Sequence, residues 1–120
     1  MKILLVEDDR LVSDAVARAL MGSGYLVDCV GDGSHAEVAA VTEPYDLVIL
    51  DLGLPGMDGY EVAERLRAEG PCEKSLIIAI SGYGQAKDRS RSKEAGFDYH
   101  LVKPVDHGQL ISLMHQRSEA

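Results

Sequence analysis

Four apolar runs in this chain each end on side chains that can handle charge. "ILLV" is followed by Glu7, Asp8 and Asp9, "LVIL" by Asp51, "LIIAI" by Ser81, and "HLV" by Lys103 and Pro104. Each has an ordinary use. Carboxylates stabilise a helix N-terminus and Asp caps one well, which is the role assigned to Asp9. A serine before glycine is ordinarily a turn residue, and a lysine at a strand end a solvated charge. Asp51 resists such a reading, because Asp58 is better placed to cap the helix that follows. Brought within reach of Glu7 and Asp8, Asp51 would crowd three negative charges, which raises carboxyl pKa values unless a cation is present. The donors are hard oxygens, with no His or Cys at ligand spacing, so the fitting ion is Mg²⁺ (or Mn²⁺). Such an ion keeps several waters and takes one or two carboxylates plus phosphate oxygens. Lys103 would neutralise a phosphoryl oxygen the metal does not reach, and Ser81 would offer it a hydroxyl. Together these parts describe a carboxylate, Asp51, that attacks phosphorus and carries an aspartyl phosphate.

The elements that must position these residues are legible as alternating patterns. Strands are predicted over Ile3–Val6, Tyr25–Val30, Leu47–Leu50, Leu76–Ile80 and Tyr99–Val102. The first, third and fourth are apolar without interruption, as strands buried on both faces are, and so should be central. Between them lie helical stripes: Val12, Ala15, Val16, Ala19 and Leu20, then Val62, Ala63 and Leu66, and finally Leu110, Leu113 and Met114. Ser34 with Glu37 and Asp58 with Glu61 are spaced like capping boxes, while Gly70 before Pro71 and Gly96 read as helix stops. Strand and helix alternating over short connections give parallel strands and right-handed crossovers. The expected fold is therefore α/β, a (βα)5 doubly wound sheet of five parallel strands. In such sheets ligands sit beyond the carboxyl ends of the strands, where the four polar tips lie.

Composition narrows the setting. The chain has 120 residues, 46% of them hydrophobic, which suits a single domain over residues 1–120 with no output domain attached. Twenty acidic residues against twelve basic ones give a formal charge of −8, which disfavours direct DNA binding. Cys29 and Cys72 form no metal or disulfide pattern, and the apolar stretch at the N-terminus is too short for a signal peptide or membrane span. A cytoplasmic protein is expected.

With those residues in view, the chain resembles a response-regulator receiver domain, the phosphoacceptor module of two-component signalling, over essentially its whole length. The resemblance rests on "ILLVEDD", "DLVILDLGLPGMDG", "IIAISGYG" and "AGFDYHLVKPV", in that order. It implies a flavodoxin-like receiver fold with strand order 2-1-3-4-5. It implies that Glu7 and Asp8 serve Mg²⁺, with Asp51 as phosphorylated residue and third carboxylate and the Gly53 backbone carbonyl as the remaining protein ligand. Ser81 would bind the phosphoryl group, Lys103 would pair with it, and the Lys103–Pro104 peptide would be cis, a geometry proline makes tolerable. The donor would be a phosphohistidine on a sensor histidine kinase or a histidine phosphotransfer protein. A downstream protein would be met through the fourth helix, the fifth strand and the fifth helix. The first of these segments, "QAKDRSRSKEAG", has almost no apolar stripe and carries Lys87, Arg89, Arg91 and Lys93, which could meet an acidic partner.

The chain departs from the family pattern at one point. The switch couples Ser81 to a side chain three residues before the lysine, usually Tyr or Phe, and here that residue is His100. Tyr99 is adjacent but alternation points it to the other face. The phrasing "SGYG" and "AGFDYHLVKPVD" resembles receivers found in hybrid sensor kinases or beside other enzymatic domains more than those of DNA-binding regulators. A rival reading is a phosphohydrolase of the haloacid-dehalogenase type, which also phosphorylates an aspartate after a strand. That family wants a second acid two residues beyond the nucleophile, where this chain has Gly53.

Overall fold

Strands that are apolar without interruption have to be covered on both faces, and this requirement organises the whole molecule. The computed structural model describes residues 2–54, 59–68, 75–82, 96–103 and 105–119. Its strands are β1 (Lys2–Val6), β2 (Leu26–Val30), β3 (Leu47–Asp51), β4 (Leu76–Ser81) and β5 (Tyr99–Val102). They form one parallel sheet in the order β2-β1-β3-β4-β5, so the three continuously apolar strands are central, as expected. The described helices are α1 (Arg10–Gly22), α2 (Gly33–Thr42), α3 (Gly59–Ala68) and α4 (His107–Glu119), the last being the fifth helix of the sequence reading. The segment 85–95, read as a further helix, lies outside the described residues, as do the Asp58 half of one capping box, the Gly70–Pro71 stop and Pro104.

Period-two alternation divides the sheet between two cores. Leu4, Val6, Val48, Leu50 and Ala79 face α2 and α3, meeting Ala36, Val62, Ala63 and Leu66. Ile3, Leu5, Ile49, Ile78 and Ile80 face α1 and α4, meeting Val16, Leu20, Leu110 and Met114. Among the described residues no helix is long and apolar enough to cross a membrane.

Helix boundaries show where local spacing was and was not sufficient. Asp9 caps α1 as expected, accepting the N–H groups of Leu11 at 2.9 Å and Val12 at 3.3 Å. The stop after α1 was not foreseen: Gly24 holds φ +93°, a left-handed conformation that glycine adopts without Cβ strain. The Ser34–Glu37 capping box is corrected. Asp32, two residues earlier, is the cap, with extended backbone and a carboxylate that accepts the His35 N–H at 2.8 Å. Ser34 therefore lies inside α2, and Glu37 is free to reach across to Arg65 of α3 at 2.7 Å.

Candidate functional site

Each functional side chain is delivered by the end of a strand. Continuing the alternation of β1, β3 and β5, Glu7, Asp51 and Lys103 fall on the α1 side of the sheet, in the rows of Leu5, Ile49 and Leu101. Backbone bonds fix the loops that carry them. Glu7 N–H donates to Val30 O at 3.0 Å, Leu52 N–H to Ile80 O at 2.8 Å, and Lys103 N–H to Ser81 O at 2.8 Å. The strand tips are therefore joined by the same hydrogen-bond logic as the sheet.

The side chains meet as the charges predict. Lys103 Nζ lies 2.7 Å from Asp51 Oδ2 and 3.0 Å from Glu7 Oε1, tying one ammonium to two carboxylates. Asp51 Oδ1 accepts the Gly53 N–H at 2.8 Å, an interaction sequence reasoning did not name. Glu7 and Asp51 are buried, Asp8 is exposed, and carboxylate oxygens of all three lie within 4.8 Å of one another. That set answers the question of fit for a metal. Three hard oxygen donors converge on one point with one side open to solvent, the arrangement a hydrated divalent cation requires.

The electrostatics record the crowding. Burial, and then the neighbouring Asp51 carboxylate, push the Glu7 pKa up to about 7. Burial also opposes ionisation of Asp51, but hydrogen bonds from Glu7, Lys103 and the Gly53 amide outweigh it and hold Asp51 below the usual carboxylate range. Lys103 is likewise penalised by burial and rescued by Asp51 and Glu7, so its pKa rises. Burial and the adjoining Asp51 carboxylate thus favour protonation of Glu7, while Lys103 and the Gly53 amide favour the ionised form of Asp51.

Ser81 does not join this ion cluster by a salt link. It follows Ala79 on the opposite sheet face, and its Oγ lies 2.6 Å from His100 Nε2. Tyr99 is turned away and 37% exposed, as alternation requires. Of the other histidines, His35 pairs with its own helix cap, Asp32, at 2.6 Å and takes no part in the site.

The comparisons agree with this geometry. The sequence profile of the response regulator receiver domain matches residues 3–115. The transcriptional regulatory protein HprR of Escherichia coli is 35% identical over 112 residues, covering 93% of this chain and 49% of HprR. The transcriptional regulatory protein TcrA of Mycobacterium tuberculosis is 38% identical over 92% of this chain and 43% of its own length. The chain thus spans about half the length of the curated relatives it matches. Among solved structures, a CheY-like receiver domain protein from Methanospirillum hungatei superposes with a TM-score of 0.88 at 26% identity, covering 97% of this chain and 91% of that one. The receiver domain of sensor histidine kinase PA1611 from Pseudomonas aeruginosa, with magnesium coordinated in its active-site cleft, gives 0.85 at 31% identity, covering 96% and 94%. Relatives of both settings, transcriptional regulators and a sensor kinase, therefore resemble the chain, so the leaning towards hybrid kinases is not exclusive. The dehalogenase reading gains no support from any of these matches. A profile match over nearly the whole chain, joined to three carboxylates and a lysine at the carboxyl end of a 2-1-3-4-5 sheet, shows that the chain belongs to the response regulator receiver domains of two-component signalling.

Proposed function

We propose that Asp51 is the phosphoacceptor of this receiver domain and that its modification alters a surface read by a partner. The single observation that carries the assignment is Lys103 Nζ bridging Asp51 and Glu7 beside Asp8, because only a charged group arriving between them would resolve the surplus of carboxylates. An Asp51 oxygen attacks the phosphorus of a phosphohistidine on a histidine kinase or phosphotransfer protein. The new O–P bond forms as the P–N bond to the donor imidazole breaks. Glu7, Asp8, Asp51 and the Gly53 carbonyl would hold Mg²⁺, which supplies charge neutralisation at the phosphoryl oxygens. Lys103 would turn from Glu7 to a phosphoryl oxygen, and Ser81 would donate to another.

The donor would be seated by the groove that shares Lys103 with the site. It has a volume of about 490 Å³ and an apolar lining that includes Leu11, Val12, Ala15 and Val105. Leu11 is 82% exposed there, which suits the apolar face of a donor helix carrying its histidine. Output would pass through the segment 85–96, β5 and α4 to a protein partner. An acidic cytoplasmic domain of this charge would not itself contact DNA.

Incubation with acetyl phosphate and Mg²⁺ should add one phosphoryl group by intact-protein mass spectrometry, and Asp51→Asn should abolish it. Undiminished labelling of that variant would end the assignment.

A further inference from the structure

His100 stands opposite Ala79 in the β4–β5 ladder, and Ser81 is two residues further on the same face, so the two side chains are diagonal neighbours. Ser81 is 0% exposed and His100 half-buried, and their Oγ and Nε2 atoms are 2.6 Å apart. A Tyr or Phe at this position would present no ring nitrogen to the hydroxyl, so this contact is particular to the histidine.

A serine hydroxyl has one hydrogen to give and two lone pairs. With a proton on Nε2, the imidazole donates to Oγ and the hydroxyl hydrogen is free for another acceptor. With Nε2 bare, the hydroxyl hydrogen is spent on the ring, and an anionic oxygen approaching Ser81 meets only lone pairs. The two tautomers of a neutral histidine thus present Ser81 to its surroundings with opposite polarity.

We propose that His100 is a positioning residue for Ser81 and that the proton on its Nε2 is set by the phosphoryl state of Asp51. This rests on the phosphoacceptor reading of Asp51. An acyl phosphate selects the Nε2–H form, because that form lets Ser81 donate to a phosphoryl oxygen while keeping its contact with His100. A chain of hydrogen bonds then runs from phosphoryl oxygen to the Ser81 hydroxyl to the His100 ring, each bond polarising the next. It ends on β5, which among the described strands pairs only with β4 and forms the edge of the sheet. The usual aromatic rotation is replaced here by a change in which ring nitrogen carries hydrogen. Linkage makes the effect reciprocal: a partner on the β5 edge that prefers the Nε2–H form raises the affinity of the site for a phosphoryl mimic by the same factor that the mimic raises its own.

The test uses the ¹⁵N-labelled chain with Mg²⁺ and beryllofluoride, a mimic of the acyl phosphate. Imidazole spectra should show His100 Nε2 moving to the protonated-nitrogen position when the mimic binds, and Ser81→Ala should remove that response. The Gly53 amide, bonded to Asp51, reports binding independently. If Gly53 moves and Nε2 does not, the proposal is overturned while the phosphoacceptor reading stands. If neither moves, both fall.

Discussion

At the amino end of the sheet, Arg67 of α3 donates from Nε to Gly96 O at 2.9 Å, from Nη1 to Ser75 O, and from Nη2 to Asp98. Asp98 in turn accepts the Ile77 N–H at 2.8 Å. At the carboxyl end, Lys103 pairs with Glu7 and Asp51, and Asp8 brings a third carboxylate beside them. The first cluster sets one guanidinium against one carboxylate and spends its remaining donors on backbone carbonyls. The second sets one ammonium against Glu7, Asp8 and Asp51 and stays electrostatically unfinished, with the Glu7 pKa raised. Both are polar groups taken partly out of water, but the first has its carboxylate matched by a cation and the second has carboxylates in excess. The incomplete one holds a place for a cation and an anion that arrive together.

The sharpest way to break this contrast is to remove the cation from each end. Lys103→Met should lower the rate of acetyl phosphate labelling by roughly 10²–10³, the cost of deleting one donor aimed at a developing phosphoryl charge. Mass-spectrometric time courses measure it, and a rate within a few-fold of the parent would show that Lys103 only balances charge. Arg67→Ala should leave the labelling rate of the folded protein unchanged while costing about 2–3 kcal/mol of stability in urea unfolding, because it strands buried acceptors. An equal loss of labelling would join the two clusters that are here held separate.

Smaller effects sharpen the same contrast. Asp8→Asn should raise the melting temperature of the metal-free protein by relieving repulsion, yet weaken Mg²⁺ at least ~10-fold, since even changes outside the ligand shell cost that much. A lower metal-free melting temperature would count against crowding. The smallest effect is a pH dependence. Glu7 has a pKa of about 7 when folded against an ordinary 4.5, so the folded state holds its proton more tightly. Its contribution to stability is complete below about 4.5 and is lost as pH rises through about 7. Without metal, stability should decline across that window, and saturating Mg²⁺, which needs Glu7 ionised, should flatten or reverse the decline. A Glu7→Gln variant should show no such slope.

Much of the site could be read from strand ends alone. "ILLV", "LVIL" and "LIIAI" announce doubly covered strands, and the residue after each then falls at the carboxyl edge by chain continuity. The acids and Lys103 were legible for that reason. Features that depend on registry between elements were not. The cap at Asp32 was missed because Ser34 and Glu37 offer a plausible local spacing, and the Asp32 carboxylate on the His35 N–H, with Glu37 turned to Arg65, distinguishes them. Arg67 carried no signal, since an arginine at a helix C-terminus is ordinary until Gly96, Ser75 and Asp98 are brought beside it. Gly96 was read as a stop to a helix that lies outside the described residues, and its φ +104° and an added Cβ falling 2.7 Å from Arg67 Cγ belong to the folded chain.

From its order of residues alone, this chain determined a parallel α/β sheet, which strands are central, and which acids, hydroxyl and amine stand at their tips, because periodicity and continuity are local properties. Tertiary structure decided that Lys103 bridges Glu7 and Asp51 instead of meeting solvent, that burial raises the pKa of Glu7 while hydrogen bonds lower that of Asp51, and that His100 turns to Ser81. Those outcomes depend on distances of a few ångströms between segments up to 96 residues apart, and Coulomb and hydrogen-bond energies change steeply over that range.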